Sequence, residues 1–478
     1  MAEMKAVASE RQKRRSPWES GSTRAMVVLG GVAVLVIVLA LLRGSGTGTP
    51  RSGSADAGGR EGGESSSAGS GGSSERPMPR LLSRSGGGSG QGGPAAVVAN
   101  KVAEFSQGRR ELVARLAEKL NVPVSPEVDQ FFSAVEAGDW RAIKSMYHAV
   151  SSQAGAADAP AGLAALLPAI KETYAVAEAK EAWPAEDLLT YGQTVLAALK
   201  PGMVYIGGSR WGSAIPSLLN ETSGEGRAVL LDQSMLSDPG YVEYLGLMYS
   251  DRITTLSKED TERAQGGYLA GLRERAKNNE LRPGESVPEG DPRKAVVGSA
   301  GASQVSENLM LALLYKNPGM TVAIEKPAPG SPLYDLATPM GPIFEVRSPA
   351  AGGESGGGVT TPAQAEQTAT YWRDAASQLQ SLPETDATVS RRQSMAEMAV
   401  AQANMLASRS LGGQAEQTYR SAMDIAPASI EPVGELVKFL QSSGRVNDAQ
   451  QVLDDYVRRN PGSENTADHF RRLLSGQR

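Results

Sequence analysis

The sequence predicts an α/β domain joined to all-α segments. Three observations carry that expectation. Between residues 201 and 347, short apolar runs alternate with stretches of helical spacing. On either side of that region, apolar residues recur at three- and four-residue intervals. Near the C-terminus, the punctuation of "QAEQTYRSAMDIAPASIEP", residues 414–432, returns 34 positions later, where Ala415 is followed by Ala449 and Pro427 by Pro461.

The 478 residues are enough for two or three domains. With no cysteine, disulfides, thiolate metal sites and a cysteine nucleophile are ruled out. The two histidines, His148 and His469, do not make a multi-histidine metal centre, and His148 reads as an ordinary partly buried helix residue. A net charge of −5 gives no reason to expect nucleic acid as a partner. No cofactor and no metal is expected.

Residues 1–24 form a basic tail with Lys5, Arg11, Lys13, Arg14, Arg15 and Arg24. Residues 25–42, "AMVVLGGVAVLVIVLALL", are apolar and uncharged, and a helix of that length is about 27 Å long, close to the hydrocarbon thickness of a bilayer. The run therefore reads as a transmembrane helix. A cleaved signal peptide is the alternative, but the run is longer than such segments and Arg43 follows with no small-x-small site. The charge asymmetry places the N-terminus inside and the bulk of the chain outside the cytoplasm, on a single pass through the inner (cytoplasmic) membrane. Residues 43–94 read as a disordered Gly/Ser linker: Gly and Ser make up 29 of the 51 residues 44–94, which leaves little apolar surface to offset the entropy of ordering.

Residues 95–200 read as a helical region. "VVANKVAEF" and "ELVARLAEKL" have helical spacing, Ser125-Pro126 starts a helix, and Gly138-Asp139 breaks one. In 201–347, strands are expected at "MVYIGG" (203–208), "RAVLLDQ" (227–233), "RITTL" (252–256), "MTVAIEK" (320–326) and "GPIFEV" (341–346). Ser257 and Asp260 match a capping box before the next helix. Strands alternating with helices argue for a largely parallel, Rossmann-like sheet. Residues 348–361 are a second linker, and 362–478 are a helical domain whose first part, 365–381, has the look of an earlier helix pair.

Aligned on their prolines, residues 396–429 and 430–463 form two 34-residue units. Unit one has Ala403, Ala415, Tyr419, Ala422 and Pro427; unit two has Val437, Gly444, Ala449, Leu453, Tyr456 and Pro461. Small residues let paired helices approach closely, larger ones fill the space between pairs, and proline ends the second helix. This length and spacing resemble the tetratricopeptide repeat, which implies helical hairpins that bind a partner protein or buttress a neighbouring domain. "ADHFRRLLS", residues 467–475, reads as a capping helix.

One stretch has the form of a binding site. Gly207 and Gly208 follow the first strand and precede a helix, an arrangement in which backbone N–H groups and the helix N-terminus favour anions. Ser209 and Arg210 extend the turn, and Asp232 ends the next strand, where an acid could hold a ribose hydroxyl. "GGSRWGS" is not G-x-G-x-x-G, and a simple tight turn is the competing reading. No catalytic constellation is found, so the sequence leans away from an enzyme.

"LKPGMVYIGG", "LLDQSMLSDPGYVEYLGLMYSDRI", "PLYDLATPMGPIFEV" and the tail "AEQTYRSAMDIAPASIEPVGELVKFLQSSGRVNDAQQVLDDYVRRNPGS" occur in this order. In that order, residues ~195–478 resemble the extramembranous C-terminal region of bacterial (Verrucomicrobia-type) protein O-mannosyltransferase-like membrane proteins. Such relatives carry Gly-Gly-Thr-Asp-x-Gly-Arg after the first strand, where this chain has Gly207-Gly208-Ser209-Arg210-Trp211-Gly212-Ser213 and no acid. The resemblance implies an accessory or binding module of cell-envelope glycosylation. The expected function is thus a membrane-anchored, extracytoplasmic scaffold for protein partners. The alternative is a ligand-binding or catalytic α/β domain for a nucleotide or sugar nucleotide at 207–213.

Overall fold

The computed structural model describes residues 93–154, 162–224, 228–287, 297–348, 358–382 and 386–474. The basic tail, the expected transmembrane helix 25–42 and all but the end of the linker 43–94 lie outside these residues. Among the described residues no helix is long and apolar enough to cross a membrane.

The expected balance of the fold is corrected. Sixteen α-helices make up 71% of the described residues, and the sheet is small and mixed. Its order is β2-β1-β3-β5-β4, with β1 (Val204–Gly207), β2 (Val229–Asp232), β3 (Thr321–Ile324), β4 (Ala337–Met340) and β5 (Ile343–Arg347). Only β1, β2 and β3 run parallel; β5 is antiparallel to β3, and β4 to β5. A largely parallel, Rossmann-like sheet is therefore not what forms.

Two local reasons explain the difference. Gly341, at φ 59°, lets the chain reverse between Met340 and Ile343, so β5 returns antiparallel through a tight hairpin. Pro339 sits in β4, which the sheet order places at an edge, where a missing N–H is tolerated. The expected strand at "RITTL" is also corrected. Arg252 and Ile253 donate to the Tyr249 carbonyl and close the preceding helix. Thr254 then exchanges hydrogen bonds with the Asn317 side chain at 2.8 and 2.9 Å, so no strand partner is left for it.

The described residues divide between two compact units, one holding 269–287 and 297–300, the other holding the described residues of 93–268 and 301–474. In the first, the described residues hold an ion pair, Arg275 to the buried Glu285 at 2.6 Å, and a turn with Asn279 at φ 57°.

In the second unit, five helices precede the sheet: α1 (Pro94–Leu120), α2 (Pro126–Ala137), α3 (Trp140–Ala154), α4 (Leu163–Ala182) and α5 (Ala185–Ala198). Gly138, at φ 71°, ends α2 at the expected break. The crossover helix α6 (Arg210–Glu221) joins β1 to β2 and packs on α4 and α5. Gly192 of α5 faces Leu219 and Ile215 of α6, and a Cβ there would lie 2.6 Å from Leu219. After β2 come α7 (Pro239–Tyr249), α8 (Lys258–Lys277), which belongs to this unit only up to Tyr268, and α9 (Ser299–Lys316), which belongs to it from Gly301, and a short α10 (Pro332–Leu336) precedes β4. Ser257 and Asp260 do cap α8 reciprocally, at 2.8 and 3.4 Å.

The C-terminal helices are α11 (Pro362–Gln380), α12 (Asp386–Ser408), α13 (Gly412–Ile425), α14 (Ile430–Ser442), α15 (Val446–Arg459) and α16 (Glu464–Leu474). Residues 365–380 of the expected helix pair 365–381 belong to one helix, α11, with Ser381 as its C-cap, and α11 lies along α13. From α13 on, backbone geometry recurs at 34 residues. Leu411 (φ −96°, ψ 53°) matches Arg445 (φ −96°, ψ 55°), and Ala426 (φ −127°, ψ 73°) matches Asn460 (φ −124°, ψ 76°). Ala403, Ala415, Tyr419, Ala422, Val437, Ala449, Leu453 and Tyr456 are buried, whereas Gly444 (φ 75°) closes α14 at the surface and Pro427 and Pro461 follow α13 and α15.

Gly434 of α14 faces the Phe470 ring of α16, and an added Cβ would lie 2.5 Å from it. The half-exposed ring can shift, so Gly434→Ala is expected to cost about 1–2 kcal/mol. The cost should be local, seen as faster amide exchange in 464–474 with α12 and α13 unchanged.

Candidate functional site

The parallel part of the sheet reverses its order between β1 and β3, the place where open α/β sheets bind ligands. The turn after β1 is built for an anion. Gly207 leaves no room for a side chain, since a Cβ would lie 2.5 Å from Ser213 Oγ and 2.6 Å from its Cα. Ser209 caps α6 by accepting from the Gly212 N–H at 3.0 Å. The N–H groups of Gly208 and Ser209 then point out of the turn.

Those donors are taken by Glu325, which follows β3. Its Oε2 accepts from Gly208 N at 2.8 Å and Ser209 N at 2.6 Å, and its Oε1 accepts from Ser209 Oγ at 2.6 Å. The residue is 3% exposed. The chain's own carboxylate thus sits where a ligand phosphate would sit at such a helix N-terminus. Gly212 is required for the fit, because a Cβ there would run into the Glu325 carboxylate.

Of the residues expected at this site, Gly207, Gly208 and Ser209 are brought together. Arg210 is not. It turns outward to pair with Glu178, over the Tyr174 and Trp211 rings at 5.8 and 5.5 Å. Asp232 pairs with Gly207 in the β1–β2 ladder, but its side chain caps the following turn by accepting from Ser234 N at 2.8 Å and Ser234 Oγ at 2.6 Å.

Asp232 also lines a separate recess with Phe105, Glu172, Ala175, Val176, Ser213, Ala214 and Ser217. The recess leaves about 20 Å³ for the centre of a water-sized guest, which admits a water and excludes a nucleotide. Behind it lies a buried polar network. Arg109 Nε is 2.9 Å from Glu172 Oε2 and its Nη1 is 3.8 Å from Glu221. Tyr244 donates to the same Glu172 oxygen, and Tyr241 accepts from the Asp232 N–H at 2.8 Å. Burial pushes the carboxyls of Glu172 and Asp232 above their ordinary values, and for Glu172 the opposing pull of Arg109 does not cancel it. Burial pulls Arg109 down, but Tyr244, Glu172 and Glu221 together raise it.

Sequence reasoning missed Glu325, Glu172 and Arg109. The signals were present in outline. Glu325 is an acid directly after three buried strand residues, and Arg109 shares a helix face with Phe105, Leu112 and Leu116. Their partners are remote in sequence, so spacing could not name them. Among the described residues no group of three or more His, Asp or Glu could hold a metal ion. No family model, no curated protein and no solved structure matches this chain.

Proposed function

We propose that this chain is a partner-binding scaffold, held at a membrane through residues 25–42 and acting outside the cytoplasm. Its binding surface is formed by the first helices of the successive C-terminal pairs. One arrangement supports this reading: α14 touches both α12 and α16, so three helices from consecutive pairs form one continuous face. Glu397, Glu431 and Glu435 lie along α12 and α14, with Lys326 3.4 Å from Glu397 and Lys438 2.6 Å from Glu435.

Glu431 has no hydrogen-bond or ion-pair partner among the described residues. Partial desolvation, then the neighbouring Glu397 charge, holds its carboxyl above the ordinary value. A basic side chain of a partner would relieve that repulsion. The ligand-binding alternative at 207–213 is less favoured, because a phosphate would have to displace Glu325 from three hydrogen bonds.

The test is site-specific photocrosslinking of the full chain in its native cells. Glu435→p-benzoylphenylalanine is expected to give a discrete protein adduct, and the same replacement at the exposed α1 position Glu118 none. Adding Glu431→Lys should abolish the adduct. The same bands from both positions, or an adduct indifferent to Glu431→Lys, would count against this surface.

A further inference from the structure

The sequence before α1 contains two basic stretches, the tail 1–24 and "MPRLLSR", residues 78–84, both outside the described residues. The second differs in composition from the chain around it. Between residues 44 and 94, Met78, Leu81 and Leu82 are the only apolar side chains larger than alanine or proline. Arg80 and Arg84 flank the leucine pair, and the stretch carries no acid. Eight of the nine residues 85–93 that join it to α1 are Gly or Ser. Nine residues reach about 30 Å when extended.

The face formed by α12, α14 and α16 has the complementary chemistry. Glu431 and Glu435 lie one turn apart on α14, the same four-residue spacing as Arg80 and Arg84. The charged groups that act on Glu431 are Glu397, Lys326, Glu435 and Lys438. Lys326 is 3.4 Å from Glu397, and Lys438 is 2.6 Å from Glu435. Both lysine side chains are well solvated, 40% and 56% exposed, so these pairs give way to an incoming cation at little cost. Glu431 has neither a hydrogen bond nor an ion pair among the described residues. One turn along α14, Gly434 faces the half-buried Phe470 ring. A ligand that suits this face carries guanidinium groups next to aliphatic side chains.

We propose that residues 78–84 are an intramolecular ligand of this face, with Arg80 and Arg84 on Glu431 and Glu435 and the leucine pair on Phe470. The proposal rests on the reading of α12, α14 and α16 as the partner surface and of the chain beyond residue 43 as lying on one side of the membrane. On that reading the tail 1–24 lies on the other side and cannot reach the face. A short tether holds its ligand at an effective concentration on the order of millimolar. The segment therefore occupies the face until a partner with more contacts displaces it, which makes partner binding a competition.

Because the chain has no cysteine, one introduced pair gives a disulfide of known position. The test is oxidation of the full chain carrying Ser83→Cys and Ser394→Cys, purified in detergent and kept dilute. Ser394 precedes Glu397 by three residues and shares its side of α12. An intramolecular disulfide is expected, about tenfold more abundant than from Ser83→Cys with Glu118→Cys near the far end of α1. Adding Arg80→Glu with Arg84→Glu, or Glu431→Lys, should lower the yield about tenfold, and raised salt should lower it too. The arginine replacements touch none of the described helices, so a loss there is not misfolding. Equal yields at positions 394 and 118, a yield indifferent to the charge reversals, or a disulfide found only between two chains overturns the proposal. The disulfide is read on purified protein with no partner present, so this proposal and the capture of a foreign protein at position 435 succeed or fail separately.

Discussion

Trp372→Ala is expected to destabilise the protein by about 3–5 kcal/mol. The indole is fully buried on α11, so its loss leaves a cavity that packed helices fill only in part. Its Nε1 also donates to Gln402 Oε1 at 2.7 Å, and the Gln402 amide donates in turn to the Gly341 and Ile343 carbonyls, both at 2.9 Å. One side chain of α12 therefore joins α11 to the β4–β5 hairpin. Trp372→Phe separates the two effects. It retains most of the volume, leaves Gln402 Oε1 without its donor, and should cost about 1–3 kcal/mol. Urea unfolding monitored by far-UV circular dichroism measures both. A Trp372→Phe variant as stable as wild type would show that the tail and the sheet are not coupled through this hydrogen bond.

Glu325→Ala is expected to cost about 2–4 kcal/mol, because two backbone N–H groups and the Ser209 hydroxyl lose a charged acceptor at once. Glu325→Gln should cost less, about 1–2 kcal/mol, since the amide oxygen can still accept from both N–H groups. Inorganic phosphate should stabilise the alanine variant and leave wild type unchanged, as an anion enters the emptied turn. The readout is Tm with and without phosphate at constant ionic strength. Equal phosphate stabilisation of wild type would mean that Glu325 does not occupy the donors in solution, and it would favour the ligand-binding reading over the scaffold.

The tail is also fastened away from Trp372. Arg391 of α12 meets Asp187 of α5 at 3.1 Å with both side chains nearly buried. Arg409, at the end of α12, donates to the Tyr334 and Ala337 carbonyls at 3.0 and 2.8 Å. Arg391 and Asp187 are 204 residues apart and nearly buried, so removing either would leave the other's desolvation uncompensated, whereas Arg409 is half-buried and holds carbonyls 75 and 72 residues away.

What the sequence determined by itself is what depends on neighbours in the chain. Gly138 ends α2, Pro126 opens it, and Ser257 with Asp260 caps α8, because these are steric and hydrogen-bonding choices made within one helical turn. The cores of β1, β2, β3 and β5 lie within apolar runs, and the 34-residue recurrence of helix ends follows the spacing of small residues and prolines. Only the tertiary structure decided the direction of β5, the admission of Pro339 to an edge strand, and the diversion of Thr254 to Asn317. It alone placed Glu325 in a turn more than a hundred residues earlier, brought Glu172 and Glu221 to Arg109, and set Asp232 in one recess with Glu172. The physical reason is that burial and charge compensation are properties of a packed interior: a carboxylate becomes a latch or a strained acid only when distant segments exclude water around it.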